Sequence, residues 1–162
     1  MACLMPSAAV AEPAFWFGLG SGGEFDETSL SIGGRSGDWG FNLAFVFSSE
    51  YAEDDIFDYR TPHNDYRIVS EDAYIGNPAG VDIFRFFNIT ENQSILIGAG
   101  LYLATQCDVA QSNATGWLYC ESEKDASIGS ISAGYQVNIL EASAILAYHT
   151  ARGAEVIVGH KF

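Results

Sequence analysis

The sequence predicts an all-β chain, an eight-stranded antiparallel up-and-down β-barrel that spans a membrane. Three observations predict it. Segment after segment alternates in side-chain kind with a period of two, the mark of strands whose two faces meet different environments. Gly (17 residues) and aromatic side chains (14%) punctuate the whole chain, and no stretch reads as a convincing amphipathic helix. The connections alternate between short and long, as in a meander whose turns fall at opposite ends. No apolar run approaches the roughly 18 residues that a membrane helix needs.

The strands follow in order. AFWFGLGSG (14–22) and TSLSIGGR (28–35) come first. In the strand at 39–49, Trp39, Phe41, Leu43, Phe45 and Phe47 stand against Gly40, Asn42, Ala44, Val46 and Ser48. GVDIFRFFNI (80–89) is less regular: Asp82 and Arg85 have opposite parity, so one faces the wrong way unless a bulge intervenes. SILIGAGLYLA (94–104) opposes Ile95, Ile97, Ala99, Leu101 and Leu103 to Ser94, Leu96, Gly98, Gly100 and Tyr102. SIGSISAGYQVN (127–138) opposes Ile131, Tyr135 and Val137 to Ser130, Ser132 and Gln136. ASAILAYHT (142–150) and AEVIVGHKF (154–162) complete the set. Each is near the ~9–11 residues with which a tilted strand crosses a bilayer. The connections 35–38, 89–93 and 138–141 are short, 51–79 and 105–126 are long, and 21–27 and 150–153 lie between. Most of the 21 acidic residues fall in 21–27, 50–79 and 105–126, so one end of the molecule is strongly negative.

The greasy face could point into a soluble barrel or out into lipid. A water-facing exterior carries charge at about a quarter to a third of its positions. Here the opposite face is mostly Gly, Ser, Asn and Gln, and Lys plus Arg number only 7. Small polar side chains suit a cramped interior, and Phe, Trp and Tyr near strand ends suit the interfacial girdles of a membrane barrel. The alternative is a soluble, lipocalin-like carrier of an apolar ligand, although no G-x-W stands near the start. In hydrocarbon every backbone N–H and C=O must be paired, so strand 154–162 has to close on strand 14–22.

A last strand alternating to Phe162, eight short strands, short turns on one side and longer loops on the other together resemble the small OmpA/OmpX-like outer-membrane β-barrels. The resemblance covers about residues 14–162 as architecture. It implies a bacterial outer membrane, with outer-membrane lipid and lipopolysaccharide as surroundings. It also implies that Phe162 is read by the barrel-assembly machinery, with Val158 and Val156 in support. His160 departs from the aromatic that the family usually carries two places before the end.

An eight-strand interior is just wide enough to be filled by side chains. Trp16, Asn42, Tyr102, Gln136, His149 and Glu155 are the inward candidates, expected to form a packed polar core rather than a wide pore; a narrow ion path is the alternative. The expected role is structural, or surface interaction (adhesion or binding) through acidic external loops, with no catalytic residue, cofactor or metal centre. The formal charge of −14 excludes nucleic acid as a partner. It fits a cationic partner, or divalent cations at Glu53, Asp54 and Asp55, whose spacing matches no EF-hand loop. The enzymatic alternative is a lipid A deacylase-like barrel using His149, Thr150 and Glu155. The H-x-S-N pattern of that family is absent, and Ala151 stands where its Ser would be.

The N-terminus carries A-V-A at 9–11, which matches a signal-peptidase site after Ala11. Residues 1–11 read as the remnant of a signal peptide and 12–162 as a single barrel domain, although no Lys or Arg precedes the short apolar stretch. An ordinary small-residue N-terminus is the other reading. With Cys3 removed, Cys107 and Cys120 remain as an even pair flanking a polar stretch. They read as a loop-closing disulfide of an oxidising compartment, with two free thiols as the alternative.

Overall fold

The computed structural model describes residues 14–47, 51, 56–57 and 65–161. The 1–11 segment with its A-V-A site, the carboxylates at 53–55 and Phe162 lie outside the described residues. Among the described residues there is no helix, and the strands are β1 (Ala14–Gly22), β2 (Glu27–Ser36), β3 (Trp39–Phe47), β4 (Ile56–Phe57), β5 (Tyr66–Thr90), β6 (Gln93–Ser112), β7 (Leu118–Ile139), β8 (Ala142–His149) and β9 (Gly153–Lys161). Every neighbour in the barrel wall is antiparallel. The wall closes where β1 meets β9, from Ala14↔Lys161 to Ser21↔Ala154, and where β7 meets β8. Without β4 this is the closed eight-stranded barrel.

Side-chain parity decides what fills it. β3 alternates without a break between exposed and buried positions. Phe41, Leu101 and Val158 point outward, with 58%, 51% and 58% of their surface open, while Ser132 and Gln136 are buried inside. Phe, Leu, Ile and Val from strand after strand join this exterior. Soluble monomers rarely expose apolar patches beyond a few hundred Å². The chain is therefore a transmembrane β-barrel with its apolar face in hydrocarbon, not a soluble carrier. β5 runs in register from Asp82 to Arg85 with no bulge, so Asp82 enters the lumen and Arg85 leaves it. Arg85 sits at the short-turn end, 3.0 Å from Asp38 and with its guanidinium 4.9 Å from the Trp39 ring, where a long side chain reaches the headgroup layer.

The long connections differ from expectation. Much of 51–79 and 105–126 is strand: β5, β6 and β7 run to 25, 20 and 22 residues. The pairing of β5 with β6 slips between Ile68 and Ser70, Ser70 and Ala73, and Ile75 and Ala79, and that of β6 with β7 slips between Cys107 and Val109. The slips at 68–70, 70–73 and 107–109 each shift the parity by one, and that at 75–79 sets four steps on β5 against two on β6, so the two-residue pattern does not carry across and the extensions read as loop. β3 pairs with β5 only up to Ala79, and β8 pairs with β7 only up to Ser132. Among the described residues β5, β6 and β7 continue above those points as a projecting sheet. At about 3.3 Å per residue the segment 104–112 alone extends it by ~30 Å. β4 adds to its outer edge, parallel to Leu118 and Tyr119.

Leu43→Arg at the middle of β3 places a charge in hydrocarbon and is expected to cost ~2–4 kcal/mol in urea unfolding from lipid vesicles. A cost near zero would mean that Leu43 faces water.

Candidate functional site

Two places hold chemistry: the lumen and the projecting sheet. The lumen is packed in layers. At the short-turn end Arg35 donates to Gln136 Oε1 (2.6 Å), Asn88 Oδ1 (2.9 Å) and the Gly37 carbonyl (2.7 Å), with its guanidinium 4.2 Å from the Phe86 ring. Above it Trp16, Phe84, Phe86, Leu96, Ile145, Ala147 and Ile157 form an apolar plug. The Trp16 indole N–H donates to Asn42.

The next layer is ionic and closed to water. Arg152 binds Glu155 through two nitrogens (2.6 and 3.0 Å), reaches Asp82 Oδ2 at 3.0 Å, and donates from Nε to the Tyr102 hydroxyl at 2.6 Å. Tyr102 donates onward to Asp82 (2.8 Å), and Ser31 donates to Glu155 (2.6 Å). His149 Nδ1 accepts the backbone N–H groups of Ala151 and Arg152 at 3.2 Å each, so Nε2 carries the hydrogen and faces Asp82 Oδ1 at 2.8 Å. Asp82, His149, Arg152 and Glu155 are each at most 1% exposed. Gly100 makes room, since a Cβ there would lie 2.0 Å from Asp82 Oδ1.

Arg152 belongs to the turn between β8 and β9, yet its side chain turns down into the barrel. Gly153 permits this: its φ is 73°, and a Cβ there would lie 2.1 Å from the Ser21 carbonyl oxygen. The β1–β2 turn locks against the same place through Glu24 N–H to Thr150 O (2.9 Å) and Phe25 N–H to Ala151 O (3.2 Å). Phe25, Ala44, Val46, Tyr102 and Ala151 then cap the lumen.

The inward candidates Trp16, Asn42, Tyr102, Gln136, His149 and Glu155 thus all lie in the lumen but in separate layers. Tyr102, His149 and Glu155 are drawn together by Arg152 and Asp82, which sequence reasoning did not select. The available signal was balance: two inward carboxylates on strands need a buried cation, and Arg152 adjoins one of them. His149 is not placed as a catalytic base. Both its ring nitrogens are occupied, and the Thr150 hydroxyl accepts the Ile131 N–H at 3.0 Å. Val156 and Val158 face outward.

On the projecting sheet, Cys107 and Cys120 are joined, tying β6 to β7 with Cα atoms 5.7 Å apart. Near the tip Phe57 stacks on Trp117 (4.6 Å between centroids), and Tyr66 meets Tyr119 edge-on at 5.4 Å. Lys124 pairs with Asp72, whose hydrogen bond and charge hold the ammonium above its usual pKa. Tyr74, pushed up by burial and then by Glu24, ties the base of the sheet to the β1–β2 turn at 3.3 Å.

Fold and site together define a small membrane β-barrel with a plugged lumen and a disulfide-tied projecting sheet. No protein-family model matches the sequence, and no curated protein matches it. Among solved structures the chain is similar to Ail, the attachment invasion locus protein of Yersinia pestis (14% identity, 93% of this chain and 97% of that one, TM-score 0.44). It is also similar to Ail in complex with the heparin analogue sucrose octasulfate (15% identity, the same coverage, TM-score 0.36).

Arg152→Met leaves Asp82 and Glu155 as buried, uncompensated carboxylates and is expected to cost ~3–5 kcal/mol in urea unfolding. A cost under about 1 kcal/mol would mean that water already reaches the network. Reducing Cys107–Cys120 is expected to loosen the tip, read as faster amide exchange at 108–119, while exchange in the barrel wall stays slow.

Proposed function

We propose that this is a surface-interaction barrel of a bacterial outer membrane, an adhesion or binding protein that presents the projecting sheet outward. One observation carries the reading: three strands rise together beyond a barrel whose lumen is filled. An eight-strand wall leaves room only for side chains, and here Arg35, the aromatic plug and the Arg152 network occupy it. What remains to meet a partner is the external surface. Its acidity, within a chain of formal charge −14, favours cationic partners over polyanions such as nucleic acid. Outer-membrane lipid and lipopolysaccharide surround the apolar wall. The engaged nitrogens of His149 argue against the deacylase reading, so lipid A acyl composition is expected to be the same with and without the protein.

The test uses the exposed stack at the tip. Phe57→Ser/Trp117→Ser in the chain displayed on bacterial cells is expected to lower attachment to host-cell or peptide-coated surfaces several-fold. Heat-modifiable migration should be unchanged, because the stack lies outside the barrel. Unchanged attachment would remove the adhesive role.

A further inference from the structure

The apolar belt of the wall does not run level around the barrel axis. The hydrogen-bond ladder measures height along it. From Trp39 the ladder crosses to Arg85, Ile97, Ala133, Tyr148, Ala154, Ser21 and Thr28, and it returns to β3 at Phe47, eight residues further on. Each step to the next strand therefore climbs by one residue. β3 and β8 stand on opposite sides of the eight-stranded wall. On β3 the outward apolar run is Trp39, Phe41, Leu43, Phe45 and Phe47. On β8 it is Ala142, Ala144, Leu146 and Tyr148, and Leu140 in the turn before it extends the run below. Four ladder steps separate Trp39 from Tyr148, so the two runs are equal in length but offset by four residues. At ~2.7 Å of axial rise per residue on a tilted strand, the offset is about 11 Å.

Leu140 is also a strained residue. It is 93% exposed, its φ is 55°, and it opens the two-residue turn between the paired Ile139 and Ala142. A hairpin turn that opens at positive φ is a glycine position. The β2–β3 turn at the same end of the barrel meets such a need with Gly37, at φ 62°. The β7–β8 turn is pinned by the Asn138 N–H on the Asn92 carbonyl and the Lys161 N–H on the Glu141 carbonyl, 2.8 Å each. Its backbone thus holds a bulky apolar side chain clear of the wall. Across the barrel, Trp39 and the Asp38–Arg85 pair mark the headgroup level. In an upright barrel Leu140 would hang about 11 Å beyond that level, and Phe47 would rise as far above Tyr148. We propose that the barrel lies tilted in its bilayer, on the order of 30° from the normal, with Leu140 as a lipid anchor seated among the acyl chains at the short-turn end. Lipid is the occupant because Leu140 continues a surface that lipid already covers, beside Ile139 with 66% of its own surface open. Packing and interfacial anchors, not length alone, set the tilt of a spanning element. The tilt lowers the β3 side and raises the β8 side, which brings both runs into one slab. It also leans the projecting sheet towards its β5 edge.

The experiment uses the full chain in oriented phosphatidylcholine bilayers, with tilt read from the polarised infrared dichroism of the strands. A tilt of about 30° is expected, and a barrel within about 10° of the normal would overturn the proposal. Leu140→Gly suits the backbone of the turn. It is expected to fold as the parent does, judged by heat-modifiable migration, and to stand straighter. The parent's tilt retained in Leu140→Gly would overturn the anchoring role. Depth is read in vesicles of acyl-brominated phosphatidylcholine. The fluorescence that Leu140→Trp adds to the parent's three tryptophans is expected to lose most of its intensity there. Added fluorescence that stays unquenched would put residue 140 in water or against a protein, and would end the proposal.

Discussion

Hydrocarbon accepts no unpaired backbone, and the rest of the structure depends on that constraint. It makes the sheet close, Ala14 against Lys161 and Ser132 against His149. Closure at eight strands fixes a lumen of side-chain width. The width in turn demands small residues such as Gly100 wherever a charged neighbour must fit. The same constraint draws the outer boundary of the membrane. Among the described residues the closed wall ends where β3 leaves β5 at Ala79 and β8 leaves β7 at Ser132, and the segment able to span lipid ends with it.

Burial then explains the lumen. A carboxylate without water needs its charge matched and its lone pairs filled. Asp82 receives His149, Tyr102 and Arg152; Glu155 receives Arg152 twice and Ser31. The cation comes from a turn rather than a strand, so turn conformation and lumen packing are one problem. Gly153 solves the first half and the guanidinium fork the second.

The wall was legible in the sequence because its two environments are uniform along each strand. WGFNLAFVF alternates without exception, and parity alone put Asn42 inside and Phe41 outside. Asp82 and Arg85, of opposite parity with no bulge between them, face opposite sides, and Arg85 is the one that points out of the lumen. The projecting sheet was not legible. It has water on both faces, so its side chains carry little alternation, and bulges at 68–70, 70–73, 75–79 and 107–109 scramble what remains. Arg152 escaped for a different reason: period two assigns a face only to strand residues, and nothing local says which way a turn side chain will reach.

The bridge between Cys107 and Cys120 joins the two strands that flank the tip, below the Trp117 aromatic stack. A tug at that stack is therefore shared by β6 and β7 together. β6 is laced to β5 over most of its length, and β7 to β8 from Ser132 to Ile139. The load runs lengthwise into the wall, against many ladder bonds at once, and does not unzip one rung after another. Such an anchor resists a pull on the tip along the strand direction.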